Sequence, residues 1–93
     1  ELNPSYLGGM PQQLEPSYQQ ALQRGNAAVR AWLKTYGPSI QDPRKAWIEL
    51  DFCVAITRED PSEARRLFKA IKDRTPPTSP IQPRLRQLEK SYE

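Results

Sequence analysis

The sequence predicts an all-α fold of four antiparallel helices arranged as helix-turn-helix hairpins, and three observations predict it. Four prolines stand where helices should open, at Glu15-Pro16, Asp42-Pro43, Asp60-Pro61 and Ser79-Pro80. Proline at the first helical position gives up an N–H that has no intrahelical acceptor, and the Asp or Ser before it supplies a capping oxygen. Apolar residues recur at helical spacing after each of these prolines. The apolar content is a lean 37% and the mean hydropathy −0.82, so much of each helix faces water, as in thin architectures built from helical hairpins.

Residues 1–15 carry Pro4, Gly8, Gly9 and Pro11 with no sustained period and are expected to form a flexible or partner-docking tail. Leu2, Tyr6, Leu7 and Met10 are more apolar than a solvated tail requires, which suggests that part of it lies against the domain or a partner. The Gly8-Gly9 pair lacks the Lys and following helix of a phosphate loop and reads as a flexible joint. Residues 16–93 are expected to form one domain, since 93 residues suit a single modest core. The chain starts at Glu1 with neither an initiator Met nor a charged-then-apolar leader, which reads as a processed form or a piece of a longer chain.

The first helix is expected over 16–36, where Tyr18, Leu22, Val29, Trp32, Leu33 and Tyr36 form one stripe. Gly25 falls on that stripe at a cost of about 1 kcal/mol relative to Ala, as a close crossing or a weak point. Gly37-Pro38 is the stop signal. The second helix, 43–58, places Ala46, Trp47, Leu50, Cys53, Val54 and Thr57 on one face and Ile48, Phe52, Ala55 and Ile56 on another. A helix apolar on nearly all sides must be covered on more than one, so it is the central element.

Asp60-Pro61-Ser62-Glu63 has the form of a capping box and opens the third helix, 60–74, with Ala64, Leu67, Phe68 and Ile71 on one narrow face. Ser79-Pro80-Ile81-Gln82 repeats the box. The fourth helix, 80–92, follows with Ile81, Leu85, Leu88 and Tyr92 as its seam, and Pro83 is tolerated because it falls in the first turn.

The short junction between the second and third helices makes them an antiparallel hairpin, and a Pro-rich connector leads to the fourth. Over about residues 44–92 this layout resembles a tetratricopeptide repeat, a helix-turn-helix unit of about 34 residues. Trp47 and Leu50 resemble its first-helix positions, Asp60 its acidic turn, Ala64 its small residue, Phe68 its aromatic and Pro76 its closing proline. Leu85 falls on the Leu position of a following unit. Asp51 stands where Gly is usual, Ile71 replaces a small residue, and the second-helix matches sit one residue late. The resemblance implies a small right-handed helical array that captures an extended peptide or a helix of a partner.

Chemistry is excluded more readily than it is assigned. The chain has no His, which removes the commonest general base and metal ligand. Cys53, its one cysteine, lies between Phe52 and Val54 and reads as a small core residue rather than a nucleophile. Glu49 with Asp51, and Glu59 with Asp60, are too close in sequence to share a helix face, and Asp60 and Glu63 have a cap to make. The expectation is a non-catalytic module with no cofactor and no metal.

A net charge of +3 from 14 basic and 11 acidic residues permits contact with nucleic acid without demanding it. No stretch approaches the roughly 20 apolar residues of a membrane span. Compartment stays open.

On the third helix Arg65, Lys69 and Lys72 recur at i, i+4 and i+7 and project together, with Arg84, Arg86 and Lys90 on the next helix. This strip suits either a solvated face, an acidic protein surface or phosphate. With no aromatic interleaved on the face to stack bases, nucleic acid is the alternative rather than the first choice. Trp32, Tyr36 and Trp47 read as core or as anchors of a binding groove. The expected contacts with a protein or peptide partner are therefore Arg65, Lys69 and Lys72 for charge, and Tyr18, Tyr36 and Trp47 for apolar area. Tyr6, Leu7 and Met10 of the tail offer a route to a homo-oligomer.

Overall fold

The computed structural model of the chain describes residues 8–92. These form five α-helices: α1 (Glu15–Arg24), α2 (Asn26–Tyr36), α3 (Arg44–Ile56), α4 (Pro61–Arg74) and α5 (Gln82–Tyr92), with no strand among the described residues. The fold is all-α as expected, with five helices where four were expected. The backbone divides into two compact units, one up to Lys45 and the other from Ala46 onward.

In the first unit the expected helix over 16–36 is two. Gly25 takes φ 107° and ψ −176°, a conformation essentially confined to glycine, and it ends α1 and starts α2. The two helices fold back on each other. Tyr18 of α1 meets Trp32 of α2 with ring centroids 4.9 Å apart, and the Trp32 indole N–H donates to Ser17 Oγ at 2.8 Å. The break also changes which residues are inside: Ala21 is buried beside Tyr18, Val29 and Trp32, while Leu22 is 44% exposed. Tyr36 ends α2 where the Gly-Pro signal predicts, and the chain tightens into a 3-10 turn, Gly37–Ser39.

Residues 8–15 of the expected tail are held in place. The Gly9 carbonyl accepts from the Gln41 N–H at 2.8 Å and the Gly8 carbonyl from the Arg44 N–H at 3.1 Å. Gly9 has φ 121°, and a Cβ there would overlap the Gln41 carbonyl, so this pair makes a close backbone crossing rather than a free joint. Met10 is half-buried, and a 3-10 turn, Gln12–Leu14, leads into α1. Tyr6 and Leu7 lie outside the described residues. α1 opens at Glu15, with Pro16 second, and α3 opens at Arg44, one residue after Pro43.

The second unit contains α3 from Ala46 onward, α4 and α5. Glu49 pairs with Arg74, and the Cys53 thiol donates to the Ala64 carbonyl at 3.1 Å, so α3 and α4 run antiparallel through the turn 57–60. Lys72 pairs with Glu89 and Phe68 stacks on Tyr92, which sets α5 antiparallel to α4. The interior is apolar: Ile48, Leu50, Cys53, Ile56, Ile71 and Ile81 are almost fully buried. Each large aliphatic residue here contributes about 1.5–3 kcal/mol through removal from water. Val54 and Ala55 face outward, so α3 is less enclosed than its composition suggests.

The caps are partly those expected. Asp60 Oδ1 accepts from the Glu63 N–H at 3.0 Å with Pro61 at the first position of α4, while the Asp60 N–H donates to the Ile56 carbonyl at 2.8 Å. Ser79 Oγ accepts from the Ile81 N–H at 3.2 Å. The Gln82 N–H donates to the Ser79 carbonyl at 3.1 Å, while its side-chain Nε2 donates to the carbonyls of Thr75 and Pro76, tying the connector to the helix it precedes.

Candidate functional site

α4 is amphipathic because its apolar residues recur every three or four positions, and its polar side carries the basic strip. Ala64, Phe68 and Ile71 are buried, which turns Arg65, Lys69 and Lys72 outward together. They line one cleft of about 430 Å³ with Arg66, Phe68, Asp73 and Tyr92. Three of the six expected contact residues therefore meet in one place.

The apolar part of the cleft is a pair of rings. Phe68 and Tyr92 have centroids 4.9 Å apart and planes 22° from parallel. Tyr92 is half-buried and its hydroxyl lies 2.7 Å from Thr57 Oγ1. Thr57 spends its own O–H on the Cys53 carbonyl at 2.8 Å, so the Tyr92 hydroxyl is the donor between the two. Burial pushes the Tyr92 phenol above its ordinary value. Tyr92 thus presents a neutral ring to the cleft, with its polar end turned toward α3.

Charge in the cleft is uneven. Lys69 Nζ meets Asp73 Oδ2 at 3.0 Å, one helical turn on, and Lys72 Nζ meets Glu89 Oε1 of α5 at 2.6 Å. Arg65 and Arg66 are exposed on the same helix. Four cations against Asp73 make the lining positive, and the exposed pairs are weak enough to exchange partners.

The expected aromatic contacts lie elsewhere. Tyr18 is only 3% exposed, packed against Trp32 with the Arg44 guanidinium 5.8 Å from its ring centroid, so it is core rather than surface. Tyr36 is exposed on α2 with its ring 5.6 Å from that of Trp32. Trp47 on α3 is half-buried beneath Arg84, whose guanidinium sits 4.3 Å from the ring centroid and pairs with Asp51 at 2.6 Å. That cover occupies one face of the indole.

Sequence reasoning missed Tyr92, Phe68, Arg66 and Asp73 as cleft residues. The expectation that no aromatic accompanies the basic strip is corrected: Tyr92 arrives from α5, a contact between residues far apart in sequence. The available signal was the antiparallel pairing of the last two helices, which sets the end of α5 against the middle of α4.

Cys53 is inert. Burial pushes its thiol above the ordinary value of 9.0, outweighing the hydrogen bonds that lower it, so the nucleophilic thiolate is disfavoured. Among the described residues, no three His, Cys, Asp or Glu side chains stand close enough to hold a metal ion. No described helix is long and apolar enough to cross a membrane. Comparison of the chain with protein-family models, with curated proteins and with solved structures finds no match.

Proposed function

We propose that this protein is a non-catalytic interaction module, a scaffold or adaptor in a multiprotein assembly, that docks a peptide or helix of a protein partner in the α4 cleft. The observation that carries this reading is the convergence of Arg65, Lys69 and Lys72 on a cleft that also contains the Phe68–Tyr92 ring pair. Cations beside an apolar surface suit a protein segment, which offers carboxylates and side-chain area together. We also propose that α3, α4 and α5 form a tetratricopeptide-like array. Supporting this are the antiparallel α3–α4 hairpin, the small Ala64 buried where α4 meets Cys53 of α3, and Leu85 buried on α5.

Affinity capture from the source cells, run side by side with the wild-type chain and with Arg65→Glu/Lys69→Glu, tests the assignment. A protein enriched on the wild type and lost from the double variant supports it. Equal recovery on both moves the partner surface away from α4. Recovery abolished by nuclease treatment replaces the protein partner with nucleic acid.

A further inference from the structure

Two of the four cations in the cleft already have carboxylate partners, and those carboxylates belong to the chain itself. Asp73 engages Lys69 and Glu89 engages Lys72, in pairs whose side chains are a third to three-quarters exposed. Arg65 and Arg66 make no ion pair with any described residue. A guanidinium fork donates two parallel hydrogen bonds to a carboxylate, a geometry that an ammonium cannot reproduce. Beside these charges lies the Tyr92 ring, whose O–H is already donated to Thr57, so it offers apolar contact and no donor.

We propose that the cleft takes an acidic peptide segment with one apolar or aromatic side chain, and that Asp73 and Glu89 are built-in competitors that hold its affinity down. The proposal rests on the cleft being the partner site. The segment's carboxylates pair with Arg65 and Arg66 and displace Asp73 and Glu89 from the lysines, while its apolar side chain lies on Tyr92. A nucleic-acid backbone fits less well. It needs a continuous row of free cations, whereas here two carboxylates interrupt the row, and a single half-buried ring provides little stacking surface.

Fluorescence anisotropy at low salt, using the full chain, tests this with three probes: a short labelled glutamate peptide with one central phenylalanine, the same peptide with glycine at the centre, and an oligothymidylate of equal length. The phenylalanine peptide should bind most tightly. Glu89→Gln and Asp73→Asn should each tighten it by about two- to fivefold, the strength of an exposed ion pair, and Arg65→Glu should weaken it by about tenfold or more. Tyr92→Ala should erase the preference for phenylalanine over glycine, and Tyr92→Phe, which keeps the ring, should preserve it.

Unchanged or weaker binding in both Glu89→Gln and Asp73→Asn overturns the competition. Failure of the phenylalanine peptide to bind overturns the assigned ligand, while loss of a captured protein from Arg65→Glu/Lys69→Glu would still uphold the docking site itself. Tighter binding of oligothymidylate than of either peptide overturns both.

Discussion

The thiol of Cys53 donates to the backbone carbonyl of Ala64 at 3.1 Å, and both residues are fully buried. Ala64 is thus enclosed where α4 meets α3, with none of its surface exposed. Ala64→Leu should destabilise the protein by about 1–3 kcal/mol through overpacking. Cys53→Ala, which empties space rather than filling it, should cost about 1–2 kcal/mol through lost packing and the lost hydrogen bond. Urea unfolding followed by circular dichroism compares them, and a neutral Ala64→Leu would contradict the close approach.

Gly25 distinguishes a broken helix from a continuous one by the sign of a single substitution. In a continuous helix Gly25→Ala would stabilise by about 1 kcal/mol. At φ 107° and ψ −176° it should instead destabilise by about 1–3 kcal/mol, even though a Cβ there would meet no atom within 4 Å. The cost is in the backbone alone. Thermal unfolding reads the sign directly, and a rise in Tm would favour the continuous helix.

The elements legible from sequence are those set by local chemistry. Asp60-Pro61 opens α4 and Gly37-Pro38 closes α2 because a cap or a stop needs only neighbouring residues. Gly25 was visible as a weak point, but its conformation depends on Tyr18 and Ser17 finding Trp32 across the break, which spacing along one helix cannot encode. Leu22 and Ala21 exchange places for the same reason. In the cleft, Arg65, Lys69 and Lys72 were legible as a strip on one helix. Tyr92 was not, since its place depends on how α5 returns along α4.

Arg44 is a buried cation with one carboxylate. Its side chain is 5% exposed, pairs with Glu15 at 3.0 Å, and leaves Nε and Nη1 buried without a hydrogen-bond partner. Removing the carboxylate should hurt more than removing both charges. Glu15→Gln is expected to destabilise by about 1–3 kcal/mol, less than for a fully buried pair because Glu15 is a third exposed. Arg44→Met with Glu15→Gln should recover to within about 1 kcal/mol of the wild type, since an apolar chain of similar length leaves no donor unsatisfied. Denaturant midpoints of the three proteins check this, and a double variant worse than Glu15→Gln alone would show that the pair is strongly favourable.

Alkaline pH should weaken the fold through the same burial that holds the Cys53 thiol protonated above its ordinary range. In the unfolded chain the thiol ionises near its ordinary value of 9.0, whereas in the folded chain burial raises that value. Between the two values the unfolded state binds fewer protons, so raising the pH favours unfolding. The thiol's contribution is therefore fully present below about pH 9 and is lost as the pH climbs through the raised folded value. Tyr92, raised above 10.0 chiefly by burial, acts in the same direction at somewhat higher pH. Cys53→Ala removes the first of these losses without adding volume. Its urea midpoint should fall less between neutral pH and the alkaline limb than that of the wild type, and Cys53→Ala/Tyr92→Phe should fall less still. Equal declines in all three would mean that neither group is held neutral by the fold.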